Sequence, residues 1–241
     1  MHIERLYIDG FRNYGRAELS FAPGLNLVWG ANAQGKSNLL EAVCYLGLAS
    51  SVFGMTLAVK GRMGAALSCL LFSGLCDMFD GTVAQHTPRS DAEKKFGIQI
   101  DSLCDVICFC AFPALMSFTL GAQSVWALLA MAFFVTCGVI RLGYFNVQEE
   151  MRQQQTSEKR TSYRGLPVTT TALIFPFAVI VFRYISVPLE WALPLLLAAV
   201  GMAFVADMAV VKPQGKAKLL LLGAGLLIFV GVLLSRGGHV R

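Results

Sequence analysis

The sequence predicts an all-α polytopic membrane protein preceded by a short α/β N-terminal fragment, and three observations carry that prediction. Hydrophobic residues make up 56% of the 241 residues and charged residues 15%, with a mean hydropathy of +0.61. A soluble domain holds about 45–50% apolar and about 25% charged residues. The apolar residues gather into seven runs, at 44–59, 64–80, 98–120, 124–145, 168–186, 190–210 and 218–235. With the N-terminus placed in the cytoplasm, the cytoplasmic segments and the run ends beside them hold fifteen lysines and arginines against four outside, and Arg183 falls within the fifth run. That asymmetry is the positive-inside pattern of a multi-pass protein, and the inverse orientation does not produce it.

Residues 1–43 have a different character. "HIERLYIDGF" and "RAELSF" alternate as a strand pair would, and "GLNLVW" reads as a strand feeding a turn. That turn is Gly30-x4-Gly35-Lys36-Ser37, the spacing of a phosphate-cradling P-loop, so these four are the candidate nucleotide-binding residues. A working P-loop needs a parallel sheet to hold it and a carboxylate elsewhere to bind Mg²⁺. A segment this short cannot bury such a core. The expectation is a partial P-loop fragment over 1–43 and a membrane domain over 44–241, with the helix after Lys36 running on into the first apolar run.

The remaining runs are candidate membrane helices, each needing about 20 residues to cross about 30 Å of hydrocarbon. The first two are short, so polar ends must complete them. The expected location is the cell membrane. A net charge of +5 then bears on orientation and lipid headgroups, and no nucleic-acid partner is expected. No basic start followed by a short apolar core occurs in the first forty residues, so no secretory signal is expected. The seven cysteines all lie in or beside apolar runs and read as small core- or lipid-facing side chains.

The segment Cys76–Asp105, "CDMFDGTVAQHTPRSDAEKKFGIQIDSLCD", carries the chemistry. Asp77 and Asp80 are spaced i, i+3 at the end of the second run, and Asp101 and Asp105 i, i+4 at the start of the third. Each pair occupies one helix face. A carboxylate in hydrocarbon costs about 2.5–3.5 kcal/mol on the insertion scale. Four that converge also repel one another, so cations must neutralise them. Oxygen-only ligands favour Mg²⁺ or Mn²⁺. Two ions beside a phosphate would stabilise both attacking and leaving oxygens, and one aspartate would serve as general base. The alternative is a set of helix-end acids facing water. Gly81 permits close approach of a substrate to the backbone. Gly97 permits the same, or tight helix packing.

Asp77-x2-Asp80-Gly81-x2-Ala84 followed by Gly97-x3-Asp101-x3-Asp105 resembles the signature of the CDP-alcohol phosphatidyltransferases. "FGIQIDSLCD", "IRLGYFNV" (Ile140–Val147) and "YRGLPVTTTALIFP" (Tyr163–Pro176) resemble the phosphatidylserine synthase branch of that family. The resemblance implies a six-helix membrane core, which leaves about one helix extra, and a homodimer with a two-ion Mg²⁺ or Mn²⁺ site facing the cytoplasm. It implies CDP-diacylglycerol and L-serine as substrates, with CMP released. It makes Asp77, Asp80 and Asp101 metal ligands, Asp105 both the base toward the serine hydroxyl and a metal ligand, and Gly81 and Ala84 part of the cytidine site. One position departs from the pattern: Gln85 stands where the family has arginine. Glutamine offers the diphosphate only neutral hydrogen bonds, so either Arg89 or a loop lysine supplies the charge or the protein is weakened.

Asn146–Gly165 is the other candidate substrate surface. Arg141 and Arg164 bracket it and are placed to hold phosphate or a carboxylate, or to serve only the charge asymmetry. "FRNY" and "PGLNLVWGANAQGKSNLLEAV" resemble the N-terminus of the RecF family of DNA-repair ATPases, with the two characters joining near Ala42–Leu48. Two other functions stand beside the serine-using transferase. One is a transferase for another alcohol, such as glycerol phosphate or inositol phosphate. The other is a membrane-anchored nucleotide-binding protein with an inactive transferase site.

Overall fold

Each of the seven apolar runs forms a helix in the computed structural model, which describes residues 5–11, 14–20, 36–84, 91–155, 162–211 and 216–235. The N-terminal strand pair is present as β1 (Arg5–Phe11) and β2 (Tyr14–Ser20), antiparallel, with Leu6 opposite Leu19. The expected strand over "GLNLVW" and the turn after it lie outside the described residues. Helix α1 (Lys36–Val59) then runs without a break through the change in sequence character at residue 43. It is followed by α2 (Met63–Ala84), and α3 (Asp91–Asp105) passes through a π-helical turn, Val106–Ala111, into α4 (Phe112–Thr119). The rest are α5 (Val125–Gln155), α6 (Thr171–Tyr184), α7 (Leu189–Val205) and α8 (Lys216–Ser235).

Small residues set the helix packing. Gly47, Ser51 and Gly54 of α1 share one face, and so do Cys69, Ser73 and Cys76 of α2. A Cβ at Gly47 would stand 3.2 Å from the Cys76 Cβ, and one at Gly54 would overlap Cys69 and the Phe112 ring. Between them the Ser51 and Ser73 hydroxyls are hydrogen-bonded at 2.8 Å, and Ser73 also donates to the Gly47 carbonyl at 2.8 Å. Such close, hydrogen-bonded crossings suit helices in lipid, where apolar burial alone gives little drive to associate. On the other side α5 and α7 pack in parallel, Gly201 against the Phe134 backbone and the Phe134 and Phe204 rings 5.5 Å apart. Phe109, Phe112, Phe175 and Leu193 complete the buried centre.

Among the described residues, three helical stretches are long and apolar enough to cross a membrane, Ala42–Val59, Phe96–Thr119 and Val125–Met151, and four shorter apolar helices accompany them. The outer surface is apolar: Phe53, Leu129, Leu195 and Leu227 are all exposed. Trp126, Tyr184 and Trp191, at the start of α5, the end of α6 and the start of α7, are exposed at one end of the bundle. That is where interfacial aromatic residues sit in membrane helices.

The boundaries differ from expectation in two places. The run 190–210 does not stay helical: α7 stops at Val205, Ala206 is extended, and Ala209–Val211 form β4 against β3 (Ser162–Arg164). Arg164 pairs with Ala209 there, so tertiary pairing overrides the apolar pattern. The surface from Asn146 onward begins as helix, because the good helix formers between Gln148 and Gln155 extend α5 by about two and a half turns.

Candidate functional site

Three aspartates from α2 and α3 converge at one end of the bundle. Asp77, Asp101 and Asp105 each bring one carboxylate oxygen to within 4.8 Å of the other two. Asp77 and Asp101 are half-buried, and Asp105 is buried at 8% exposure. The i, i+4 spacing puts Asp101 and Asp105 on one face of α3, and the short connection after α2 brings Asp77 opposite them. Asp80 lies three residues further along α2; its side chain is outside the described residues. Gly81 and Ala84 are in the last turn of α2, Gly97 is one turn before Asp101, and Gln85 lies outside the described residues.

The donor set fits a hard divalent cation. All three groups are carboxylates, and oxygens on opposite sides of a Mg²⁺ or Ca²⁺ ion, bonded at about 2.0–2.6 Å, stand about 4–5 Å apart. The like charges at this separation repel strongly in a half-buried site, which a bound cation offsets.

Two features flank the triad. The Ser102 hydroxyl, between the two α3 aspartates in sequence, donates to Oδ1 of Asn146 on α5 at 2.9 Å. Asn146 is therefore at the acidic end of the bundle. Arg141, one turn and a residue earlier, is buried; its Nη2 donates to the Gly165 carbonyl at a long 3.5 Å and its guanidinium lies 5.8 Å from the centre of the Phe145 ring. Arg164 is in β3, with its side chain outside the described residues. Gly30 and Gly35 also lie outside them, while Lys36 and Ser37 open α1.

Sequence reasoning missed Ser102. A polar residue between two paired aspartates in "IDSLCD" was the available signal.

The fold and the cluster define a helical membrane protein with a cation-suited carboxylate site at one end of its bundle. The family model described as CDP-alcohol phosphatidyltransferase matches residues 38–206, and the chain belongs to that family. A CDP-diacylglycerol–serine O-phosphatidyltransferase of Saccharomyces cerevisiae is 37% identical over 131 residues, 53% of this chain and 46% of the relative. A model described as an AAA domain matches residues 5–49. The DNA replication and repair proteins RecF of Halalkalibacterium halodurans and Acidothermus cellulolyticus are similar over short stretches. The first is 53% identical over 51 residues, 21% of this chain and 14% of the relative; the second is 46% identical over 70 residues, 29% of this chain and 19% of the relative. The chain thus spans less than half the length of these curated relatives. No solved structure matches.

Proposed function

We propose that the protein is a phosphatidylserine synthase, transferring the phosphatidyl group of CDP-diacylglycerol to L-serine and releasing CMP. The observation that carries this is the convergence of Asp77, Asp101 and Asp105 within the segment matched by the transferase family. The acceptor comes from the likeness to the yeast serine-using enzyme. In this reading Asp77, Asp80, Asp101 and Asp105 hold two Mg²⁺ or Mn²⁺ ions, which supply charge neutralisation at the diphosphate. Asp105, the most deeply buried of the triad, takes the proton from the serine hydroxyl as its oxygen attacks phosphorus and CMP leaves. Gly81, Ala84 and Gln85 border the cytidine diphosphate, Gly97 leaves room beside it, and Asn146, Arg141 and Arg164 form the side from which the acceptor enters. The site faces the cytoplasm, in a homodimer of the cell membrane, with membrane lipid around it.

Residues 1–43 are a partial ATPase fragment in this reading, and 44–241 the transferase domain. The second reading, a nucleotide-binding function, draws on the RecF likeness. Among the described residues, however, only two-stranded antiparallel sheets occur, not the parallel sheet a P-loop is built on.

The test is CMP release by purified protein given CDP-diacylglycerol and, in turn, L-serine, glycerol 3-phosphate, inositol phosphate and inositol. Release with serine, abolished by chelator and restored by Mn²⁺ or Mg²⁺, is expected. Release with another alcohol in place of serine overturns the acceptor. No release with any acceptor overturns the activity.

A further inference from the structure

The distance between the three carboxylates depends on how α3 is rotated about its axis. Asp101 and Asp105 both project from α3, whereas Asp77 projects from α2. Side-chain tips lie about 5–6 Å from a helix axis, so a rotation of about 10° moves both α3 carboxylates about 1 Å relative to Asp77. Metal–ligand distances tolerate only about 0.2 Å. Something must therefore hold α3 in phase.

Helix α3 packs against α1 and α5, and a side-chain hydrogen bond from it runs to α5. Gly138 leaves room for the Cys110 thiol of the π-turn, in a contact that any Cβ at 138 would block. Arg141 joins the same helix to the Gly165 turn. Two turns after Gly138, the same helix presents Asn146 to Ser102. Ser102 is one residue on from Asp101 and 9% exposed, so its hydroxyl bonds to α5 from the flank of the acidic face. The π-turn that begins at Val106, with the Phe112 N–H bonded five residues back to Ile107, offsets the phase of α3 from that of α4.

We infer that Ser102 and Asn146 are a positioning pair that holds α3 in the rotation at which Asp101 and Asp105 meet Asp77 around a divalent cation. This rests on the metal reading of the triad and deepens it. The pair touches neither the cation nor the reacting atoms. Loss of the Ser102 hydroxyl weakens cation binding and leaves the chemistry intact once the cation is in place.

The experiment measures Mn²⁺ binding to the full-length protein in detergent, from the free-ion paramagnetic resonance signal, apart from any activity. Parent, Ser102→Ala, Asn146→Ala, the double variant and Ser102→Thr are compared. Removing a partner outside the ligand shell weakens metal binding by about tenfold or more, so each alanine variant is expected to shift the Mn²⁺ dissociation constant by about that factor. The double variant should bind no more weakly than either single one, since both remove the same bond. Ser102→Thr keeps the hydroxyl and should restore binding to within about threefold of the parent. At saturating Mn²⁺, CMP release by Ser102→Ala should also be within about threefold of the parent. Unchanged Mn²⁺ affinity in Ser102→Ala, or additive losses in the double variant, overturns the pairing while leaving the metal site standing. A parent protein that holds no Mn²⁺ overturns the metal reading and the pairing with it.

Discussion

Asp105 differs from its two neighbours in burial, and that difference separates its predicted role from theirs. It is the buried member of the triad by exposed area, while Asp77 and Asp101 are partly exposed. Asp105→Asn preserves volume and shape but removes the basic oxygen and the negative charge. The expected outcome is a loss of CMP release of about 10²–10⁴-fold, the range of a general base, with an unchanged size-exclusion profile. A variant retaining activity within a few-fold of the parent would remove Asp105 from that role. The aspartates were legible because acids in apolar sequence are costly and spacing alone puts each pair on one face. Ser102 was not, because a serine in a membrane helix has several ordinary uses. Only its proximity to Asn146, forty-four residues away, reveals which one applies.

At the scale of elements, the seven helices follow from hydropathy, while the pieces between them follow from tertiary pairing. β3 and β4 are three residues each and exist because Ser162–Arg164 and Ala209–Val211 meet, which no local pattern announces. The π-turn is likewise hidden in an apolar run; Pro113, without an N–H and crowding the carbonyl four residues back, is its one local sign. The turn that joins β3 to α6 depends on Gly165. Its φ of +78° is left-handed, its N–H donates to the Met208 carbonyl at 2.7 Å, and a Cβ there would collide with the Phe204 carbonyl. Gly165→Ala is expected to destabilise the protein by about 1–3 kcal/mol from backbone strain alone, read as a lowered thermal midpoint in detergent. An unchanged midpoint would show that the turn relaxes without loss.

For the whole molecule, the length of α5 relates the two ends of the bundle. Trp126 and Asn146 are twenty residues apart on one helix, about 30 Å, which is the thickness of the hydrocarbon layer. The exposed aromatic end and the carboxylate end therefore belong to opposite membrane surfaces, and the proposed orientation puts the carboxylates at the cytoplasmic one. Helix α1 ends its first turns on that same side, beginning at Lys36. In a working P-loop this lysine contacts the β- and γ-phosphates. Here Lys36→Ala is expected to leave CMP release unchanged, and the parent is expected to show no ATP turnover. Turnover that disappears with Lys36, or a transferase rate that falls tenfold without it, would make the N-terminal fragment a working part.

The unbroken course of α1 has a geometric consequence for how two such sequences can be joined at all. Lys36 precedes Gly47 by eleven residues, just over three whole turns, so its Cα lies on the same stripe as Gly47, Ser51 and Gly54, the stripe locked against α2. A flexible junction would transmit only distance, but a helical one transmits angle as well. One residue inserted between 37 and 46 would screw everything before it about 100° around the axis and about 1.5 Å along it. Three or four would return it to nearly the same bearing, one turn further from the membrane. The junction thus behaves as a thread: the lengths it tolerates come in steps of a turn.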